Sequence, residues 1–154
     1  MITENPDTDI RFMKEALRQA LIAYEEDEVP IGCVVVANDR IIGKGYNQTE
    51  KLQDPTAHAE MIAITAASNS FDGKYLQGCT LYVTIEPCSM CAGALQWSQI
   101  DRVVYGASEP KTGFSRFTPS LLHSRTQVSG GILEWDCREL IQKFFREKRK
   151  GAEK

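Results

Sequence analysis

Two short stretches carry side chains that bind metal ions and move protons. They are His58-Ala59-Glu60 and, thirty residues further on, Pro87-Cys88-Ser89-Met90-Cys91. One imidazole and two thiolates suit zinc, which takes nitrogen and sulfur donors in a tetrahedral site. Three protein ligands leave a fourth position for water, whose proton is lost near neutral pH beside the ion; that open position separates a catalytic zinc from a closed structural one. Glu60, two residues from His58, projects differently and need not ligate, so its carboxylate is free to act as general acid and base. Each piece alone has a plainer reading. A lone Cys-x-x-Cys also serves as a structural zinc half-site, a redox pair or buried thiols. The combination, with a proline before the first cysteine, favours catalysis.

Both ligand sets fall near expected helix N-termini, where free amides and the helix dipole favour thiolate over thiol. Asp54-Pro55 supplies a cap and a first helical position for a helix reaching about residue 68, with His58 and Glu60 in its first turn or two. Residues 80–85 are rich in β-branched side chains and alternate, with Leu81, Val83 and Ile85 on one face, which predicts a strand running into Glu86-Pro87-Cys88. Pro87 then opens a helix over 88–98, with Ala92, Leu95 and Trp97 supplying apolar surface.

Around this unit, Asp9 is expected to cap a helix over 10–26, whose stripe is Phe12, Met13, Ala16, Leu17, Ala20, Leu21 and Tyr24. Runs 31–37 and 41–46, separated by Asn38-Asp39-Arg40, predict an antiparallel hairpin, followed by a polar loop over 47–54. A strand is expected over 102–107, and a loop over 109–119. Ile132 and Leu133 suit a short strand or turn, and 134–148 a final helix with Leu140, Ile141, Phe144 and Phe145 toward the core. Strand-helix-strand units join parallel neighbours, so the fold class is α/β: a three-layer α/β/α sandwich around a mixed five-stranded sheet.

Composition narrows the class. With 154 residues, 42% hydrophobic and 25% charged, the chain fits one folded domain over 1–154, and disordered or fibrous classes are excluded. Residues 1–8 are expected to form a flexible leader and 149–154 a flexible tail. The N-terminus has no basic stretch followed by an apolar run, and no window of about 18 apolar residues occurs, so neither export nor membrane spanning is expected. Five cysteines, an odd number, favour reduced thiols and a cytoplasmic setting, with Cys33, Cys79 and Cys137 as small core or near-surface residues. His123 reads as a solvated loop residue. Net charge is -3, but Lys143, Arg146, Lys148, Arg149 and Lys150 crowd the C-terminus. That basic end either meets phosphates or complements a helix dipole.

The pairing of His58-x-Glu60 with Pro87-Cys88-x-x-Cys91 matches the signature of zinc-dependent nucleobase deaminases. Over most of its length the chain resembles the bacterial tRNA-specific adenosine deaminases. The resemblance includes Glu28-Val29-Pro30-Ile31-Gly32, Gly45-Tyr46-Asn47, the stretches around both zinc motifs, Lys111-Thr112-Gly113, Gly131-Ile132-Leu133 and Phe144-Phe145-Arg146. It implies a cytidine-deaminase-like fold, one Zn2+ per subunit on His58, Cys88 and Cys91, and conversion of a wobble adenosine to inosine with Glu60 shuttling protons. It further implies that Asn47 hydrogen-bonds the target base, with Pro30 and Ile31 walling its pocket. Lys111, Phe145, Arg146 and Arg149 would contact the tRNA anticodon stem-loop, and the protein would act as a homodimer. Where many relatives carry Arg-Asp ahead of Lys-Thr-Gly, this chain has Ser108-Glu109-Pro110. Two other readings stay open: a deaminase of a free base or nucleotide, and a non-catalytic zinc-bearing RNA-binding subunit.

Overall fold

The computed structural model describes residue 2 and residues 4–152. In chain order the elements are α1 (Pro6–Glu25), β1 (Gly32–Ala37), β2 (Arg40–Tyr46), α2 (Ala59–Phe71), β3 (Cys79–Ile85), α3 (Ser89–Ser98), β4 (Arg102–Ala107), β5 (Gln127–Ser129) and α4 (Glu134–Ala152), with one 3-10 turn at Phe114–Arg116. The strands form one mixed sheet in the order β2-β1-β3-β4-β5. β1 runs antiparallel to β2 and β3, whereas β3, β4 and β5 are parallel.

Alternation along the central strands builds the layers. Cys33, Val35, Leu81, Val83 and Val103 face one core, with Ala59, Ala63 and Ala67 of α2 and Ala92 and Leu95 of α3. Val34, Val36, Tyr82 and Val104 face the other, with Phe12, Met13 and Ala16 of α1 and Cys137 of α4. A strand sends successive side chains to opposite faces, so a sheet covered on both sides needs apolar residues at every position. All six residues of β1 are buried accordingly. The sandwich expected from the sequence is thus present, with α2 and α3 on one face and α1 and α4 on the other.

Several boundaries differ from expectation. α1 begins at Pro6 within the expected leader, capped by Asn5, whose side chain accepts from the amides of Asp7 and Thr8. Asp9 is not the cap. It is buried at 4% exposure and accepts two bonds from the Arg102 guanidinium, at 2.7 and 2.8 Å, and one from the Tyr82 hydroxyl at 2.8 Å. α4 continues to Ala152, well into the expected tail; residues 1, 3, 153 and 154 lie outside the described residues. The fifth strand is Gln127–Ser129, and Ile132 and Leu133 form the turn before α4. Three residues pairing with Arg102, Val103 and Val104 are too few to display a period of two.

Three apolar residues are more exposed than their spacing implied. Trp97 is 80% exposed, Leu21 47% and Phe145 42%, because the sheet covers only the inner strip of each helix. Cys33, Cys79 and Cys137 are core residues at 1% exposure or less. His123 is half-buried in its loop, and its Nδ1 accepts from the Arg125 amide at 3.2 Å.

Candidate metal centre and active site

Two helix N-termini meet at the same end of the sheet. The helix carrying His58 starts at Ala59, later than Asp54-Pro55 suggests, because Asp54 spends its carboxylate on the Thr56 amide and hydroxyl, at 2.8 and 2.7 Å. Such a local turn competes with helix and delays it. His58 is therefore the N-cap of α2, with extended backbone at φ -75 and ψ 155, and Cys88 occupies the same position on α3. Neither side chain caps its own helix. Both instead turn toward a shared centre.

The His58 Nδ1 lies 3.6 Å from the Cys88 Sγ and 3.6 Å from the Cys91 Sγ, and the three donor atoms all fall within 4.8 Å of one another. An ion with bonds of about 2.0 Å to nitrogen and 2.3 Å to sulfur, at tetrahedral angles, holds its donors about 3.6 Å apart. Donor chemistry and spacing both fit zinc. The cysteines titrate as a pair: the Cys88 thiol is pushed down to about 3, chiefly by its hydrogen bond with Cys91, while Cys91 is pushed up by that bond and by burial. His58 is raised, chiefly through its hydrogen bond with Cys88. One proton shared between two sulfurs is what a divalent cation displaces on binding.

Glu60 sits in the first turn of α2 at 4% exposure. Burial raises its carboxyl to about 7, and it stands outside the donor triangle. A cleft of about 200 Å³ opens on His58, Glu60 and Cys88, with Ile31 from just before β1, Thr112 from the loop after β4 and Phe145 from α4 also on its walls.

This geometry accompanies sequence similarity. Residues 6–107 match the cytidine and deoxycytidylate deaminase zinc-binding region. A tRNA-specific adenosine deaminase of Bacillus subtilis (strain 168) is 44% identical over 147 residues, covering 92% of this chain and 91% of the relative. The chain belongs to the tRNA-specific adenosine deaminases. The Aquifex aeolicus (strain VF5) enzyme of that name is 43% identical over 90% of this chain and 94% of its own. A solved structure from work on A-to-I editing by tRNA:A34 deaminases at the wobble position of transfer RNA has a TM-score of 0.79 and 40% identity, covering 84% of this chain and 98% of that one. The fold is the cytidine-deaminase-like α/β fold. The cofactor of this deaminase is zinc, one ion per subunit, and the donor triangle is a group that could hold it.

The other residues singled out from the deaminase sequence distribute unevenly. Ile31 and Phe145 line the cleft, Phe145 while 42% exposed. Pro30 is buried beside Ile31. Asn47 is 6% exposed; its amide bonds the Ile31 carbonyl at 3.0 Å and its side chain donates to the Val29 carbonyl at 3.3 Å. Lys111, Arg146 and Arg149 are exposed, and Arg146 pairs with Glu139 at 2.8 Å. Sequence reasoning passed over two buried carboxylates, Glu28 at 1% and Glu86 at 3% exposure. Glu28 accepts from the Glu50 and Lys51 amides at 3.0 and 2.7 Å, bracing the loop after β2. Their one sequence signal is an acidic residue abutting an apolar strand.

Proposed function

We propose that this deaminase hydrolyses the wobble adenosine of a tRNA anticodon stem-loop to inosine. One observation carries the reading. His58, Cys88 and Cys91 converge beside a buried Glu60 that stands outside the donor group, in a chain 44% identical over 92% of its length to a tRNA-specific adenosine deaminase.

His58, Cys88 and Cys91 hold the zinc, which when bound supplies Lewis-acid activation of water near neutral pH. Glu60 accepts a proton from the attacking water and delivers it to N1 of the adenine as oxygen bonds to C6. Glu60 then carries the remaining proton to the departing amine; the bond from C6 to nitrogen breaks, and the products are inosine and ammonia. Glu60, buried beside the donor set and outside it, is placed to take a proton and return it. Pro30 and Ile31 wall the base and Asn47 hydrogen-bonds it.

A cleft of about 200 Å³ is smaller than the usual ligand pocket of roughly 300–1,000 Å³ and suits one extruded base. A nucleotide stacked in a stable duplex could not enter, so the target is a loop nucleotide. Lys111, Phe145, Arg146 and Arg149 grip the anticodon loop, and the substrate sets the location as cytoplasmic. The protein acts as a homodimer, a reading supported by Trp97, 80% exposed on α3 in the layer that carries the metal donors. It forms one domain over 1–154.

The test compares the zinc-loaded protein on an anticodon stem-loop, free adenosine, guanine and cytosine, scoring inosine by sequencing and ammonia by coupled assay. Inosine at the wobble position alone is expected. A marked preference for a free base sinks the tRNA reading, and RNA binding without ammonia release sinks the catalytic one.

A further inference from the structure

Glu86 follows directly on β3, two residues before Cys88, and is buried without belonging to the donor triangle. Its amide donates to the Ala107 carbonyl at 2.9 Å, which locks it to the end of β4. Its carboxylate is spent on a single loop. Oε1 accepts from the Glu109 amide at 3.0 Å. Oε2 accepts from the Ser115 amide at 2.9 Å and the Ser115 hydroxyl at 2.6 Å. One side chain therefore ties down both ends of the segment 109–115.

That segment carries Lys111 and Thr112, and Thr112 and Glu109 share the cleft with His58, Glu60 and Cys88. The fit is close: a Cβ on Gly113 would lie 2.3 Å from the Glu86 carboxyl carbon. The Phe114 amide donates to the Pro87 carbonyl at 2.9 Å, and Gly113 bridges to Cys88 itself. The loop is thus referenced to the backbone that presents a metal donor.

We propose that Glu86 is a positioning residue that holds loop 109–115 against the cleft and so sets affinity for the nucleotides flanking the target base. The chemistry demands a carboxylate. Only an ionised carboxyl accepts with both oxygens from three donors; glutamine turns an NH2 toward an amide N–H and leaves one end of the loop unanchored. A purely architectural role is a weaker account. Phe114, 6% exposed and edge-on to Tyr105 with ring centroids 6.3 Å apart, keeps the far end of the loop packed without Glu86. The effect on substrate rests on the tRNA deaminase reading; the anchoring does not.

The test uses zinc-loaded, full-length Glu86→Gln and Ser115→Ala. The expected outcome is unchanged zinc content, a stem-loop KM raised about tenfold in Glu86→Gln and less in Ser115→Ala, and kcat within about twofold of the parent. In Glu86→Gln, amide hydrogen exchange should quicken at Glu109 and Ser115 and stay unchanged within α3. Unaltered KM in both variants, or kcat and zinc content falling together, overturns the proposal. If Glu86→Gln fails to fold, Ser115→Ala decides. A parent protein inactive on the stem-loop defeats the substrate reading instead, and unchanged exchange at Glu109 and Ser115 in the variants then overturns the anchor itself.

Discussion

Two carboxylates, both about 4% exposed, do opposite work according to their partners. Among the described residues Glu60 has no salt-bridge partner, and burial outweighs the nearby His58 and raises its carboxyl to about 7; in the proposed mechanism it exchanges protons. Glu60→Ala should therefore keep zinc, measured by metal analysis of the purified protein, while kcat on the stem-loop falls at least about 100-fold, the usual share of general acid and base catalysis. Cys88→Ala should lose metal and turnover together. Substantial activity in Glu60→Ala would remove it from the proton path. Asp9 is instead paired with Arg102 through a two-pronged bond. Asp9→Ala leaves that guanidinium buried at 2% exposure without its partner, which should cost about 3 kcal/mol, or roughly 10 °C in Tm. Asp9 lies at the end of β3 away from His58, beside a separate cavity of about 420 Å³, so kcat per folded molecule should hold; a matching loss of kcat would contradict that separation.

At the level of elements, the metal centre depends on how closely two helices approach the sheet. Gly45 in β2 lies under the first turn of α2, and a Cβ there would fall 2.3 Å from the Ala59 carbonyl oxygen. Neither backbone can yield cheaply, so Gly45→Ala should push the N-terminus of α2 outward and carry His58 and Glu60 with it. The expected cost is about 1–3 kcal/mol from overpacking, together with about tenfold weaker zinc binding in competition with a chelator. Gly151→Ala in α4, where a Cβ meets nothing within 4 Å, is the control and should leave zinc affinity unchanged. Equal zinc affinity in Gly45→Ala would mean that the helix start is not set by this contact. Gly32 performs the same service for α1, since its Cβ would lie 2.0 Å from the Ala16 carbonyl oxygen.

For the whole molecule, thiols on both faces of the sheet link stability to pH. Burial raises Cys79 to about 11 and Cys137 to about 12, whereas an unfolded thiol ionises near about 8.5. The folded state thus keeps a proton that the unfolded state gives up. Stability from this source is intact below about pH 8.5 and declines as pH rises toward the folded values, by up to about 1.4 kcal/mol per pH unit for each thiol. Urea unfolding under reducing conditions should show a lower midpoint at about pH 10 than at about pH 8. Cys137→Ala should show a shallower decline, and an identical decline in variant and parent would exclude Cys137 as a source. Among the described residues no helix is long and apolar enough to cross a membrane.

The metal chemistry was legible in the sequence because it is local. Cys88 and Cys91 are a fixed three positions apart, Glu60 is two from His58, and proline and cap signals with strand alternation predicted α2, β3, α3 and β4 to within a few residues. The start of α2 was misread because the Asp54 turn and a helix cap use the same residue types, and only packing chooses between them. Tertiary structure alone decided what lies across the chain from what: Asp9 against Arg102, Glu28 against residues 50 and 51, Glu86 against both ends of the loop after β4. The reason is physical. A hydrogen bond between residues far apart in sequence leaves no periodic trace, and a carboxylate is hydrophilic in any pattern until the fold removes its water and supplies its donors.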